Sequence, residues 1–114
     1  MILQFSPEFR RDLRREKIYL AEHESKEYAD KIGITILNEC AALKSFPRKG
    51  KLASERFEIE TDLRFLVVNE YMIFYSVNED SINIVRLFNT KMDILFRMFG
   101  IVTSDPDSDD YWNE

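Results

Sequence analysis

Arg64-Phe65-Leu66-Val67-Val68, Tyr71-Met72-Ile73-Phe74-Tyr75-Ser76-Val77 and Ser81-Ile82-Asn83-Ile84-Val85-Arg86-Leu87-Phe88 are three successive runs of strand length and strand composition. β-Branched and aromatic side chains fill a pleated, half-buried surface well. Asn69-Glu70 and Asn78-Glu79-Asp80 separate the runs, and connections this short between apolar runs predict antiparallel hairpins. The third run leaves through Asn89-Thr90-Lys91-Met92-Asp93 into Ile94-Leu95-Phe96-Arg97-Met98-Phe99-Gly100, an apolar stretch of short-helix length. The helical half of the chain is common to many proteins; this order of turns, and this exit from the last strand, belongs to few.

Upstream, Phe57-Glu58-Ile59-Glu60-Thr61 alternates apolar and acidic residues and predicts a further half-exposed strand. Before it, Phe46-Pro47-Arg48-Lys49-Gly50-Lys51 forms a basic loop that ends a helix. That helix carries the cleanest stripe in the sequence, Ala29, Ile32, Ile36, Cys40 and Leu43. Gly33 within it costs about 1 kcal/mol of helix propensity against alanine, and its missing side chain would let a neighbouring helix approach. The neighbour starts at Ser6-Pro7-Glu8, a capping hydroxyl, a first-turn proline and a first-turn acid. Phe9, Leu13 and Leu20 mark its apolar face, with Arg10, Arg11, Arg14 and Arg15 on its other sides. Glu22-His23-Glu24-Ser25 is the break, so residues 7–45 read as a helical hairpin. Residues 2–5 form a strand-length apolar run. The predicted class is α+β: a strand, two helices on one face of a three- to four-stranded antiparallel meander, and a short last helix. Residues 1–100 make one domain, and residues 101–114 are expected to be an acidic, mobile tail.

The chain has 114 residues, 45% of them apolar, enough for one domain with a core. No apolar run approaches 18 residues, so no membrane partner is expected, and a single cysteine permits no internal disulfide; a cytoplasmic protein is the simplest reading. The net charge of −5 is concentrated at one end: Asp105, Asp107, Asp109, Asp110 and Glu114 leave the remainder formally neutral. Residues 1–51 hold eleven cations against eight acids, a basic helical side rather than the basic face of a general nucleic-acid binder.

One histidine and one cysteine on different elements do not make a zinc site, and three glycines make no phosphate loop. No metal and no cofactor is expected. His23 reads as a connector and Cys40 as core. Lys49, Lys51, Arg64, Arg86 and Lys91 lie near the sheet and would suit a metal-independent ribonuclease, in which cations stabilise charge on a phosphorane. Tyr75 could move the proton if its hydroxyl shares a side with Arg86. The competing reading has these cations as strand ends paired with Glu58, Glu60 or Asp62. Phe96 and Phe99 are either core or an exposed contact, and Tyr111-Trp112 are either disordered or an anchor.

The ordered set over residues 2–100 resembles the RelE/ParE superfamily of toxins from bacterial type II toxin–antitoxin systems. Its carriers are the first strand and helical hairpin, Leu43 with Pro47-Arg48-Lys49-Gly50, Arg64, the strand Tyr71–Val77, and Ile82 through Asp93. Arg86, Lys91 and Asp93 look like the exit of the last strand in ParE-like members, with Asn89 where a histidine is usual. The resemblance implies a toxin that poisons DNA gyrase by binding and is neutralised by a cognate antitoxin, without direct DNA binding of its own. It places the target contact at Arg86, Asn89, Lys91, Asp93, Phe96 and Phe99, and antitoxin contacts at Arg10, Arg11, Arg14 and Arg15. The alternative branch is a ribosome-dependent messenger RNA endoribonuclease using Arg64, Tyr75, Arg86 and Lys91. A third possibility is a degenerate, non-toxic relative that only holds an antitoxin.

Overall fold

The computed structural model describes residues 1–92 and 94–100, Leu95 by its backbone alone. The acidic tail and Tyr111-Trp112, and Asp93 before the last helix, lie outside the described residues. Two helices form the expected hairpin, α1 (Pro7–His23) and α2 (Lys26–Ala42). Each start is closed by a serine: Ser6 Oγ accepts from the Phe9 amide at 2.9 Å, and Ser25 Oγ from the Tyr28 amide at 3.0 Å. Two residues join the helices, which forces them antiparallel.

The sheet has five strands in the order β1-β5-β4-β3-β2. β3 (Arg64–Val68), β4 (Tyr71–Val77) and β5 (Ser81–Asn89) are the meander read from sequence, paired antiparallel. Two strands extend it. β1 (Ile2–Phe5) runs parallel to β5, with Phe5 opposite Ile84, and the two-residue β2 (Lys51–Leu52) pairs antiparallel with β3. Between Phe74 and Tyr75 the β4–β5 register slips, leaving Val85 as the extra residue of a bulge.

The alternating stretch 57–61 is not a strand. A five-residue helix, α3 (Ala53–Phe57), takes its first residue, and Glu58 in the left-handed region (φ 55°) ends that helix. Five alternating residues are a weak signal when one of them has a better place to go. Phe57 packs against the rings of Phe65, Phe74 and Phe99 at centroid distances of 5.9, 6.2 and 6.1 Å. The chain closes with α4 (Ile94–Phe99).

The sheet therefore has a core on each face. On one, Phe9, Leu20, Ile32 and Ile36 of the helices, with Leu43 just past α2, cover Leu66, Ile73, Tyr75, Ile84 and Leu87. On the other, Phe65, Met72, Phe74 and Phe88 are covered by α3 and α4. Gly33 is buried, but the group against it is the aliphatic stem of Lys17, whose Cδ would lie 3.2 Å from an added Cβ. The close approach of the hairpin is thus filled by a flexible side chain rather than by backbone.

Candidate functional site

Residues opposite each other in a sheet share a face, and this decides what the candidate chemical groups can do together. Arg64 is opposite Tyr75, which lies in the helical core, while Arg86 is opposite Phe74, in the phenylalanine core. Arg64 and Tyr75 thus share one face and Arg86 has the other. The condition under which Tyr75 could serve a ribonuclease beside Arg86 is not met.

The Tyr75 side chain is fully buried and its hydroxyl is committed at both ends. It donates to the Pro47 carbonyl at 2.8 Å and accepts from the Gly50 amide at 2.8 Å. Burial raises its pKa, against smaller lowering effects from the Gly50 amide and the Arg64 charge. Arg64 donates to the Gly50 carbonyl at 2.8 Å, so tyrosine and arginine together hold the basic loop against the sheet. Gly50 is required there: a Cβ would lie 2.5 Å from the Tyr75 hydroxyl and 2.7 Å from the Phe65 carbonyl. These groups shape a loop. A proton-transfer role for Tyr75 would need its single proton, which is already donated to Pro47, and an approach to an oxygen that is buried against the Gly50 amide.

Arg86 is held by a residue that the sequence reading passed over. β1 stops at Phe5, and beyond it the outer edge of β5 is completed by Ser6 and Asp12. Ser6 donates its amide to the Ile84 carbonyl at 2.9 Å and its hydroxyl to the Val85 carbonyl at 2.7 Å. Asp12, 2% exposed, then accepts the Leu87 amide at 3.0 Å. The same carboxylate receives Arg86 bidentately, Nε to Oδ2 at 2.7 Å and Nη2 to Oδ1 at 3.1 Å, and Arg15 at 3.2 Å. The Arg86 guanidinium also lies 4.5 Å over the Phe88 ring. Asp12 was detectable in principle, because with Glu16 it falls on the apolar stripe of Phe9, Leu13 and Leu20. An acid on such a stripe asks for a buried partner.

The remaining candidate cations do not pair as expected either. Lys49 meets Glu39 at 3.2 Å, and Lys91 approaches Glu70 at 3.9 Å with both side chains mostly in water. Glu58, Glu60 and Asp62 form no ion pair among the described residues. Lys91 instead belongs to the exit of β5, where the Asn89 side-chain oxygen accepts the Lys91 amide at 2.9 Å and shapes the turn. Beyond this turn, Phe96 is 53% exposed, whereas Phe99 packs edge-on against Phe74 at 5.8 Å and is half-buried. Of the predicted contact, Lys91 and Phe96 are exposed, while Arg86, Asn89 and Phe99 are half-buried.

A groove of about 560 Å³ runs between α1 and the start of α2. Leu13, Ile18, Ala21 and Ala29 line it, with Arg10, Arg14, Lys17 and Lys26 around it and Asp30 as its acid. Arg11 and Arg15 lie outside this groove, beside Glu8 and Glu16. His23 is exposed and stacks on Tyr19 at 4.0 Å, with Nδ1 donating to the Tyr19 carbonyl. Burial pushes the Cys40 thiol up to about 12, with a smaller push from Glu39, so it is held as an inert thiol. No metal-holding cluster of acids, His and Cys occurs among the described residues, and no helix there is long and apolar enough to cross a membrane.

A family model for the ParE toxin of the type II toxin–antitoxin system parDE matches residues 3–94. Among solved structures, one described as the chromosomal ParDE TA system from P. aeruginosa superposes with a TM-score of 0.66 at 18% identity. The match covers 78% of this chain and 95% of that one, and at such identity it is a likeness of fold. No curated protein matches.

Proposed function

This chain belongs to the ParE toxin family of type II toxin–antitoxin systems, and we propose that it acts by binding DNA gyrase, without a catalytic centre of its own. One observation carries the preference for binding over RNA cleavage. The tyrosine and the two arginines that a ribonuclease would use are divided between the two sheet faces, and all three are already engaged: Tyr75 and Arg64 by the loop, Arg86 by Asp12. Charge stabilisation of a phosphorane needs cations free to turn toward a phosphate.

The proposed target surface is the exit of β5. Asn89 shapes the turn, Lys91 and Phe96 make contact, and Asp93 contributes from outside the described residues. Arg86 and Phe99 act from behind, one fixing the strand through Asp12 and the other seating α4 on Phe74. A cognate antitoxin is proposed to neutralise the toxin through an amphipathic helix lying in the α1–α2 groove. Its apolar side would meet Leu13 and Ile18 and its acids would meet Arg10, Arg14 and Lys17.

The test is gyrase supercoiling in vitro alongside growth arrest on induction without antitoxin, with RNA integrity read in the same cells. Inhibited supercoiling with intact messages is the expected result. Codon-register cleavage of messages would overturn the reading in favour of the endoribonuclease. No arrest from a folded protein would overturn it in favour of a non-toxic relative.

A further inference from the structure

The phenylalanine side of the sheet carries a hollow of about 510 Å³ at the margin of its core. Val67, Met72, Met92 and Ile94 form its apolar wall, with Lys51 and Arg56 among the residues around it. Val67 is 57% exposed although it points from the middle of a strand. Among the described residues, Lys51 and Arg56 take part in no ion pair; the Arg56 guanidinium lies 5.1 Å over the Phe57 ring. Glu55 stands in the adjoining cleft with Arg64. The hollow is therefore apolar with two available cations, the surface a segment of mixed aromatic and acidic character would fit.

We propose that its occupant is the end of this same chain, with the acids of 105–110 meeting Lys51 and Arg56 and Tyr111-Trp112 resting on the apolar wall. Three observations support that choice. The chain leaves the described structure beside the hollow: Ile94, the first residue of α4, lines it, and Phe99 packs on Phe57, which also lines it. Gly100, in the left-handed region at φ 70°, then ends α4. The following residues hold five acids and no cation, on a body that is otherwise formally neutral. Twelve steps from Gly100 to Trp112 reach at most roughly 40 Å, so the tether does not limit docking. A tether this short holds its segment at an effective concentration of order millimolar, so weak individual contacts suffice. Tyrosine and tryptophan join a large apolar body to a polar tip, which suits a half-open hollow.

Thr90 and Met92 line the same hollow. A docked terminus would lie beside the exit of β5 and screen it. That consequence rests on the gyrase reading above; the docking itself does not.

Trp112 is the sole tryptophan, so its emission in the full-length chain reports its own environment. At low salt the expected emission is blue-shifted and protected from acrylamide, unchanged on dilution, and shifted red at 1 M salt, where screening acts within about 3 Å. The double variant K51E/R56E should show the red-shifted, quenchable emission already at low salt with unchanged far-UV circular dichroism, while R14E/K17E should not. Wild-type emission of a fully exposed indole overturns the proposal. So does a red shift caused by R14E/K17E, which would place the terminus on the helices, or one caused by dilution, which would place it on another copy. Full-length K51E/R56E should inhibit gyrase several-fold more strongly than the wild-type chain, and equal inhibition would overturn the screening of the β5 exit. If neither form inhibits gyrase, the functional reading falls while the Trp112 result still decides the docking.

Discussion

Asp12 is predicted to be the most sensitive polar residue of the molecule, although it lies in the middle of a run of surface arginines. Asp12→Ala removes the acceptor of the buried Leu87 amide, which costs about 1–3 kcal/mol. It also leaves Arg86 without its carboxylate. Removing one partner of a fully buried pair costs about 3–5 kcal/mol, but the Arg86 side chain is 29% exposed and regains part of its hydration. The two effects overlap, and a total of about 3 kcal/mol is expected. For a domain of this size that lowers Tm by roughly 12–20 °C. Asp12→Asn keeps an oxygen for the Leu87 amide but loses the charge and turns an amide donor toward the Arg86 and Arg15 guanidiniums, so a cost of about 2 kcal/mol, below that of alanine, is expected. Arg86→Ala should cost less than Asp12→Ala, because Arg15 still faces the carboxylate at 3.2 Å. Arg86→Lys should not restore stability, since an ammonium cannot make the bidentate pair. Urea unfolding of the two single variants and the double variant, followed by far-UV circular dichroism, measures all of this. A coupling of about 1.5–3 kcal/mol between the two sites is expected. Asp12→Ala within about 0.5 kcal/mol of wild type, the ordinary range of a surface substitution, or strictly additive single costs, would refute the assignment of Asp12 and Arg86 as a structural clamp.

The loop clamp gives a second stability prediction: Gly50→Ala drives a Cβ into the Tyr75 hydroxyl and the Phe65 carbonyl and should cost about 1–3 kcal/mol in the same unfolding assay. Tyr75→Phe should cost about 2 kcal/mol by orphaning the Gly50 amide and the Pro47 carbonyl, while gyrase inhibition per folded molecule stays unchanged, against the loss a catalytic tyrosine would show. Alkali should destabilise the fold. Burial, with smaller effects led by Glu16, pushes the Tyr71 phenol up to about 12, and Cys40 also stands at about 12. Both are raised above their unfolded values of 10.0 and 9.0, so their contribution is intact below pH 9 and is lost as pH rises from there toward 12. Cys40→Ala should flatten the onset of that loss in a series of unfolding curves. Lys91→Ala with Phe96→Ala should reduce gyrase inhibition at least tenfold while thermal stability stays close to that of wild type, as supercoiling and melting measurements would check. Arg10→Glu with Arg14→Glu should weaken antitoxin binding most at low salt, as a titration calorimeter would read.

The meander was legible because its strands are covered on both sides by elements that demand apolar runs, and short polar turns punctuate them. Ser6-Pro7 and Ser25 likewise announce the helix starts locally. Stretch 57–61 misled because the alternation ended where Phe57 found three other rings, a tertiary reward that no five-residue window contains. The candidate site was only half legible. Its residue types at the β5 exit were readable, but whether Arg86 was free depended on Asp12, 74 positions away. Tyr75 shows the same limit: its hydroxyl partners are the backbone of Pro47 and Gly50, and backbone partners leave no trace in residue identity.

β1 has a consequence for how the chain comes into being. The first strand of the sequence pairs only with the last, and the carboxylate that completes that edge waits for Leu87. Parallel pairing across such a span carries the full entropic cost of closing a long loop before any contact rewards it, which makes it a slow step. At about 5–20 residues per second, a translating ribosome needs several seconds between making Phe5 and making its partner. During that interval the helical hairpin exists without the sheet it covers. The protein therefore cannot acquire its finished surface gradually from the N-terminus, and a prematurely ended chain lacking β5 has neither the clamp nor the exit strand. Whatever harm this molecule does begins only when its last strand is home.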